Sequence, residues 1–417
     1  MASSCYLPAT PSERGPHRGT SGTAANRHGS RGRGRVEPVS ASIIDSDEHL
    51  YEPRSLWVDH VDPRHRADAL TLEDDELGYT WLAWRGQRLE LADVHRPGDV
   101  DACGRHRQRR RNGQSASYRY DEALPHAYWD PLARVSWLDG AGLDEAVCFP
   151  NFGLLWERRL SGSLPALTAN MAAWNRWCAS VVADGRGRLH PVAHVTLRDP
   201  SWLEGQLREL SVSGVRLAMV APAPVEGRPL SHPDHDRSWS AFVHHGVSPV
   251  FHVADQPRVF DDCWYTDPDD FVPTIESVFL WVPPALALTD LILNGAFERH
   301  PELRIGVVEL SSIWVPQFLL MLDGATEFTT RLNGRSLAEL RLRPSEYFAR
   351  HVRESSFSYE DPRRLTSRSG DLFMCCSDFP HSEGTATPLA DYTAAGCDRA
   401  SSPGLFCDNV TFLLGPS

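Results

Sequence analysis

Short apolar segments alternate with longer amphipathic segments along most of the chain. Apolar runs of about four to eight residues, rich in Val, Ile and Phe, indicate buried strands, whereas apolar residues that recur every three or four positions indicate helices. The pattern predicts eight strands, at residues 42–47, 145–150, 190–197, 214–220, 248–253, 304–310, 351–359 and 371–378. It predicts intervening helices at residues 131–140, 165–183, 199–211, 236–245, 284–299 and 313–330.

Eight strands separated by helices predict an α/β fold, namely a (β/α)8 TIM barrel. The alternative is an open, doubly wound sheet, which usually begins with a glycine-rich turn after its first strand. The corresponding segment of this chain, SIIDSDEHLYEP (42–53), contains no glycine. We therefore predict one barrel domain over residues 41–417.

Two segments depart from the alternating pattern. Residues 1–40 include RHGSRGRGR (27–35) and carry little apolar material, so they are predicted to be a disordered Arg/Gly/Ser-rich extension. A nucleic-acid-binding arm and a misassigned start codon are the alternatives. Residues 60–128 are polar, include GRHRQRRRNGQS (104–115), and are predicted to be an insertion after the first strand, either a loop or a small subdomain.

Composition narrows the possible partners and chemistry. The 417 residues carry a formal net charge of -13, which argues against nucleic acid or an anionic membrane as the partner of the main body. All 42 basic residues are arginine, so Schiff-base, phosphate-loop and carboxylated lysines are excluded.

The cysteines and the apolar runs predict a location. The nine cysteines form no CxxC pair, which is typical of reduced thiols in a cytoplasm. We find no apolar run long enough for a membrane span and no signal-peptide core. We therefore expect a cytoplasmic protein with a small-molecule substrate, assembled as a homodimer or a higher homo-oligomer.

Side chains that can bind metal or transfer protons stand at the ends of the predicted strands, where the functional loops of a barrel meet. Two imidazoles and two carboxylates that converge there can bind a divalent transition metal. Taken alone, each has a structural interpretation, such as a buried structural histidine or a helix-capping aspartate. The candidates are Asp47 and His49 after the first strand, His252 at the end of the fifth, Glu309 at the end of the sixth, and Asp378 at the end of the eighth, followed by His381 and Glu383.

Several motifs occur in an order that is recognisable. The chain opens with IIDSDEHLYEP (43–53) and continues through DPLARVSWLDGAGLDEAVCFPNFGLLWERR (130–159), LHPVAHVTLRDP (189–200), SPVFHVAD (248–255), GAFERHPELRIGVVE (295–309) and CSDFPHSEG (376–384). In these motifs it resembles the amidohydrolase-related family of metal-dependent TIM-barrel enzymes, which includes aminocarboxymuconate-semialdehyde decarboxylase and several aromatic-acid decarboxylases. The resemblance covers essentially everything from Ser42 onward except residues 60–128.

The resemblance implies one divalent metal ion bound by Asp47, His49, His252 and Asp378. It places Glu309 where some relatives have a histidine, as a ligand or as a second acid/base. The family commonly has two glycines after that position, whereas this chain has Leu310 and Ser311. Zinc is the expected metal, and manganese, iron or cobalt would also suit this mixed nitrogen and oxygen ligation.

Two reactions fit such a site, and composition does not choose between them. In the first, a metal-activated water hydrolyses an amide, lactone or related bond of a small organic molecule, and Asp378 handles the proton, with Glu309 or His381 as alternative proton carriers. In the second, the site removes CO2 from an aromatic or unsaturated acid without oxidation. We expect a hydrolase, with the decarboxylase as the alternative and an inactive, ligand-binding barrel as the third interpretation. Arginines that clamp a substrate carboxylate near the metal would favour decarboxylation.

Overall fold

The structure is a computed structural model that describes residues 42–91, 103–254, 259–264, 274–336 and 340–416. The extension predicted for residues 1–40 lies outside the described residues. The strands are β1 (Ile44–Leu50), β2 (Leu70–Asp74), β3 (Thr80–Trp84), β4 (Gln87–Leu91), β5 (Glu145–Pro150), β6 (Leu189–His194), β7 (Leu217–Met219), β8 (Ser248–His252), β9 (Ile305–Val308), β10 (Val352–Ser356) and β11 (Phe373–Cys375).

Eight of these strands form one parallel sheet in the order β1-β5-β6-β7-β8-β9-β10-β11. The first strand then meets the segment that follows the last. The N–H of Asp378 donates to the carbonyl oxygen of Asp47 at 2.8 Å, and the N–H of His49 donates to that of Phe379 at 2.7 Å. The sheet is thereby nearly closed, and the predicted (β/α)8 barrel is confirmed.

Helices surround the sheet, and five of the six predicted helices begin and end within three residues of the predicted positions. They are α1 (Leu56–His60), α2 (Cys103–Arg111), α3 (Tyr120–Ala123), α4 (Pro131–Ala141), α5 (Glu157–Leu160), α6 (Leu164–Asp184), α7 (Pro200–Val212), α8 (Asp236–His245), α9 (Thr274–Val278), α10 (Val282–Leu293), α11 (Ala296–Arg299), α12 (Val315–Asn333), α13 (Pro344–His351), α14 (Pro362–Ser369), α15 (Pro388–Ala394) and α16 (Asn409–Leu414). No helix within the described ranges is both long enough and apolar enough to cross a membrane.

Two predicted elements differ from the structure for local reasons. The helix predicted over 284–299 is two helices, because Gly295 adopts a left-handed backbone with φ of 73° and interrupts the helical hydrogen bonding. The strand predicted over 351–359 is only β10, because His351 ends a helix and a 3-10 turn follows at Ser358–Glu360.

The barrel interior is apolar and is closed at the amino-terminal end of the strands. Side chains alternate along each strand, so that Val147 and Phe149 point into the barrel while Ala146 and Cys148 pack against the helices. Leu413 of α16 lies across the amino-terminal end, where Ser248 at the start of β8 donates to its carbonyl oxygen at 2.6 Å. The carboxyl end of the strands is left for the candidate site.

The segment predicted as an insertion, residues 60–128, contains a small sheet of its own. Strands β2, β3 and β4 pair antiparallel in that order. Asn170 of α6 anchors this sheet to the barrel, because its side chain accepts from Leu70 N at 2.8 Å and donates to the carbonyl oxygen of Asp68 at 2.8 Å.

Candidate active site

Strand β1 supplies two side chains to the mouth of the barrel. Asp47 and His49 were expected to follow the first strand, but β1 continues to Leu50, so both lie within it. The register against β5 shifts between Asp45 and Glu48, which marks a local irregularity beside the site. Asp47 and His49 are two residues apart, share one face of the strand, and have no exposed surface.

The two central histidines are oriented as metal ligands usually are. His49 Nδ1 donates to the carbonyl oxygen of Pro150 at 2.9 Å, and His252 Nδ1, at the end of β8, donates to that of Val253 at 2.8 Å. A carbonyl oxygen can only accept, so each Nδ1 carries the proton and each Nε2 presents a lone pair to the site. Burial, followed by the nearby His381 and His252, holds the pKa of His49 well below its ordinary value, and Asp47 opposes only part of this.

Glu309 and Asp378 lie in turns just beyond the strands that were predicted to end with them. Strand β9 ends at Val308 and β11 at Cys375. Both residues have left-handed backbones, with φ of 57° for Glu309 and 56° for Asp378, a conformation that costs a non-glycine residue about 1 kcal/mol or more. Main-chain hydrogen bonds oppose this cost, since Glu309 N donates to Ser355 Oγ at 3.0 Å.

The turn after β9 holds a third residue of this kind. Ser311 has φ of 60° and occupies a position where the family that the sequence motifs resemble commonly has glycine. Its hydroxyl donates to Glu360 Oε1 at 2.7 Å, and Ser312 N donates to the same oxygen at 3.1 Å. The Glu360 carboxylate therefore fixes the turn that carries Glu309.

Four side chains converge tightly, and we call them the inner cluster: Asp47, His49, His252 and Glu309, whose ligand atoms all lie within 4.8 Å of one another. Within it, His252 Nε2 lies 3.5 Å from Asp47 Oδ1 and 3.2 Å from Glu309 Oε2. Asp378 Oδ1 lies 3.2 Å from His49 Nε2. The structure thus gathers all four predicted ligands, with Glu309 rather than Asp378 completing the inner cluster.

The buried polar atoms of this mouth fit a divalent cation. Both carboxylate oxygens of Asp47, Oδ2 of Asp378, His49 Nε2 and Glu309 Oε2 are buried and make no hydrogen bond among the described residues. Buried polar atoms nearly always have a hydrogen-bond or ionic partner, so a group of buried atoms without one indicates a site for a bound ion. A cation with nitrogen and oxygen ligands would satisfy every one of these atoms.

His381 lies on the outer side of these carboxylates. Its Nδ1 is 2.8 Å from Asp378 Oδ1, its Nε2 is 3.0 Å from Asn151 Oδ1, and its ring stacks on His49 with centroids 3.8 Å apart. Burial disfavours its charge, but Asp378 outweighs burial and raises the pKa of His381 to about 9. Burial, then Asp378 and Asp47, raises the pKa of Glu309 well above its ordinary value.

A buried arginine that was not among the predicted site residues supports β1 from behind. Arg134 of α4 donates to Glu48 Oε2 at 2.8 Å, to the carbonyl oxygen of His49 at 2.6 Å and to that of Ala127 at 2.7 Å. Its guanidinium also lies 5.0 Å from the centroid of the Phe379 ring. The only signal in the sequence was its presence in the motif DPLARV, which does not reveal these partners.

Two carboxylates hold the backbone around the predicted ligands, and neither was predicted to do so. Asp45 Oδ1 accepts from the N–H groups of Asp47 and Ser377, both at 3.0 Å, and so ties together the segments that carry Asp47 and Asp378. Glu52 accepts from Phe152 N at 2.9 Å and from Gly153 N at 2.7 Å, and thereby fixes the loop that presents Asn151.

Comparison with known proteins finds the same fold at low sequence identity. No protein-family model matches the chain, and no curated protein matches its sequence. An amidohydrolase from Mycobacterium avium subsp. paratuberculosis is similar at 23% identity and a TM-score of 0.70, over 90% of this chain and 100% of that one. A 5-carboxyvanillate decarboxylase from Novosphingobium aromaticivorans, solved with manganese and 4-hydroxy-3-methoxy-5-nitrobenzoic acid, is similar at 17% and 0.62, over 90% and 96%.

A third neighbour extends the same observation. The 2,6-dihydroxybenzoate decarboxylase from Rhizobium is similar at 16% identity and a TM-score of 0.55, over 90% of this chain and 98% of that one. The structural neighbours therefore include an amidohydrolase and several decarboxylases, which agrees with the resemblance seen in the sequence motifs. At these identities the likeness establishes the (β/α)8 barrel fold.

Proposed function

We propose that this chain is an enzyme that uses a divalent metal ion at the mouth of its barrel to transform a small organic molecule. The observation that carries the proposal is the set of buried polar atoms on Asp47, His49, Glu309 and Asp378 that face one another without hydrogen-bond partners. His252 completes the nitrogen ligands. Burying polar groups without partners destabilises a protein, so this group of atoms is not expected in a barrel that binds no ion.

The proposed reaction is the non-oxidative decarboxylation of an aromatic or unsaturated acid. Several neighbours of this fold are decarboxylases of such acids, and one holds manganese with a nitrobenzoic acid. A bound divalent ion would supply Lewis-acid chemistry at the substrate's oxygens. Glu309 lies beside that position, with Oε2 3.2 Å from His252 Nε2, and its carboxyl group can deliver a proton to the carbon that loses CO2.

Hydrolysis is the second candidate, and two observations favour it. The carboxylate of Asp378 can accept a proton from water, and His381 Nδ1 lies 2.8 Å from its Oδ1. Arg134 offers no clamp for a substrate carboxylate, because all three of its guanidinium nitrogens are bonded to Glu48 or to main-chain oxygens. The neighbour from Mycobacterium avium is itself an amidohydrolase.

The metal is proposed to be zinc or manganese. Mixed nitrogen and carboxylate ligation suits both, and manganese is the ion in one neighbouring structure. A small-molecule substrate accords with the aromatic ligand of that neighbour. A cytoplasmic location and a homodimeric or higher homo-oligomeric state stay predictions from the sequence.

The test combines metal analysis with two substrate screens on the purified full-length chain. Aromatic and unsaturated acids are assayed for CO2 release, and amides and lactones for hydrolysis, with and without prior chelation. We expect CO2 release that chelation abolishes and added manganese or zinc restores. Metal-dependent hydrolysis without CO2 release would select the second candidate. A chain that binds no divalent ion would refute both.

A further inference from the structure

A histidine that the proposed function does not use lies at the carboxyl end of β6. His194 is the last residue of that strand and is buried. Its register partner on β7 is Met219, which in turn pairs with Val250 of β8. Met219 and Val250 both pack in the apolar interior of the barrel, and residues in register on parallel strands face the same side of the sheet. The His194 ring therefore points into the barrel, at the end where the inner cluster lies.

The backbone and the ring of His194 are fixed by separate partners. Asn175 of α6 accepts from His194 N at 2.8 Å and donates to the carbonyl oxygen of His194 at 3.1 Å. Glu157 of α5 lies with its Oε2 2.9 Å from His194 Nε2, and the ring centroid of Trp156 lies 5.1 Å from that of the imidazole. A histidine held at both its backbone and its ring has one orientation, as a group that positions a ligand requires.

One ring nitrogen of His194 is left for a ligand. An ionised carboxylate can only accept, so Nε2 carries a proton and donates to Glu157. Nδ1 is buried and makes no hydrogen bond within the part of the chain that the structure describes. Leaving a buried polar atom without a partner is costly. In the neutral ring this nitrogen is an acceptor, so the partner that fits it is a hydrogen-bond donor.

The loop that follows β5 joins His194 to the candidate metal site. Asn151 at its start has Oδ1 3.0 Å from His381 Nε2, and Glu157 just beyond it contacts His194. Between these two contacts, Leu154 packs against the apolar interior of the barrel. His194 and the inner cluster therefore lie beneath the same loop, on different strands of one barrel mouth.

We propose that His194 Nδ1 binds the substrate by accepting a hydrogen bond from a hydroxyl group on the part of the molecule that does not touch the metal. This inference rests on the proposed function, because the carboxylate of the substrate must be bound at the inner cluster. It narrows the substrate class to aromatic or unsaturated acids that carry a hydroxyl group besides the carboxylate. Glu157 and Asn175 are positioning residues, since they act through His194.

Binding of small acids to the zinc-loaded full-length chain tests this assignment independently of turnover. Calorimetry measures the affinity for benzoic acid and for the three monohydroxybenzoic acids, in the wild type and in His194→Phe, which keeps an aromatic ring beside Trp156. We expect one hydroxy isomer to bind the wild type about 10-fold more tightly than benzoic acid does, because it supplies the missing partner of Nδ1. His194→Phe should lose this preference and bind benzoic acid as the wild type does.

The same strand offers a matched control. His190 lies near the amino-terminal end of β6, and its Nε2 is 2.6 Å from Glu145 Oε2, so His190→Phe removes a similar pair away from the mouth. This variant should keep the preference. A preference that persists in His194→Phe, or that His190→Phe also removes, would overturn the assignment. Equal weakening of all four acids in His194→Phe would show that His194 binds the carboxylate, and the hydroxyl assignment would be wrong.

Nuclear magnetic resonance of the wild-type chain with isotope-labelled histidine gives a readout that no variant's folding affects. The Nδ1 resonance of His194 should shift when the preferred hydroxy acid is added and stay in place with benzoic acid. An unchanged resonance would overturn the hydrogen bond. A zinc-loaded wild type that binds none of the acids, or all of them equally, would overturn the inference and leave the metal site intact. A chain that holds no divalent ion would instead refute the proposed function itself.

Discussion

Replacing Arg134 by methionine should both destabilise the barrel and weaken metal binding. The side chain is fully buried, and it neutralises Glu48, whose own side chain has no exposed surface. Methionine preserves much of the volume but removes the charge and all three hydrogen bonds, including the one to the carbonyl oxygen of His49. The variant therefore leaves a buried carboxylate without its counter-charge.

The expected size follows from that uncompensated group. Removing one partner of a buried ion pair costs about 3–5 kcal/mol, most of it from the charge left behind. The lost hydrogen bond to His49 loosens a side chain that is proposed to bind the metal, and loss of such supporting contacts typically weakens metal binding by about 10- to 100-fold. We expect both effects together, a lower free energy of unfolding and a weaker metal affinity.

Urea denaturation of the metal-free protein measures the first effect, and titration with manganese measures the second. The double variant Arg134→Met/Glu48→Gln should recover part of the lost stability, because no unpaired charge remains. The matched control is Arg237→Met. Arg237 pairs with Glu204 on the surface, with side chains 61% and 47% exposed, so its loss should cost about 1 kcal/mol or less.

A loss below about 1 kcal/mol in Arg134→Met, with unchanged metal affinity, would refute the reasoning. If the double variant does not recover stability, the loss in Arg134→Met comes from lost packing instead, since the Arg134 side chain also lies against the Phe379 ring. Unchanged metal affinity would remove Arg134 as the residue that positions His49.

Four further predictions follow from particular groups. His252→Ala should lose about one bound ion per chain, and full metal content would contradict its role as a ligand. Asp378→Asn should retain much of the bound metal and lose about 10²–10⁴-fold in turnover, because an amide cannot accept the proton, whereas near-normal turnover would leave Glu309 or His381 as the proton carrier. Deleting residues 1–40 should leave melting temperature and turnover unchanged, and a large drop in melting temperature would show that the segment packs on the barrel. Burial first, then Glu360, raises the pKa of Glu354 well above its ordinary 4.5, so the folded state holds a proton that the unfolded state releases and stability falls as pH rises above that value. Glu354→Gln should remove this loss and grow more stable relative to wild type as the pH of urea denaturation rises above about 4.5, and parallel pH profiles would count against a buried neutral acid.

The barrel could be predicted from the sequence because each strand is marked by a local run of apolar residues. Apolar runs such as those of β5 and β8 are buried on both faces, so their strands are visible without knowledge of the rest of the fold. Asp47, His49 and His252 lie on or at the end of such strands, so their position at the mouth of the barrel could be predicted as well. The hydrophobic pattern and the strand ends are therefore enough to predict the barrel and the position of three of the side chains at its carboxyl end.

What was missed depends on contacts between distant parts of the chain. Arg134 lies 86 residues from Glu48, and no local pattern indicates that the two are paired. Glu309 and Asp378 were placed at strand ends, whereas hydrogen bonding of the sheet stops earlier and leaves both in left-handed turns. The small antiparallel sheet of residues 60–128 was predicted only as a polar insertion, because its strands are short. Its position depends on the hydrogen bonds to Asn170 of α6, which the sequence does not reveal.

The left-handed Ser311 has a consequence for how this turn can vary. Glycine there would relieve about 1 kcal/mol of backbone strain, but it would also release the link from the serine hydroxyl to Glu360. Serine at position 311 is therefore more strained than glycine but is held by its hydrogen bond to Glu360. Proteins with serine and with glycine at this position should differ little in the free energy of unfolding, while the segment that carries Glu309 should be more mobile with glycine. Slow amide hydrogen exchange at Ser312, whose N–H donates to Glu360 Oε1, is the signature of the anchored form, and exchange there should be faster with glycine at position 311.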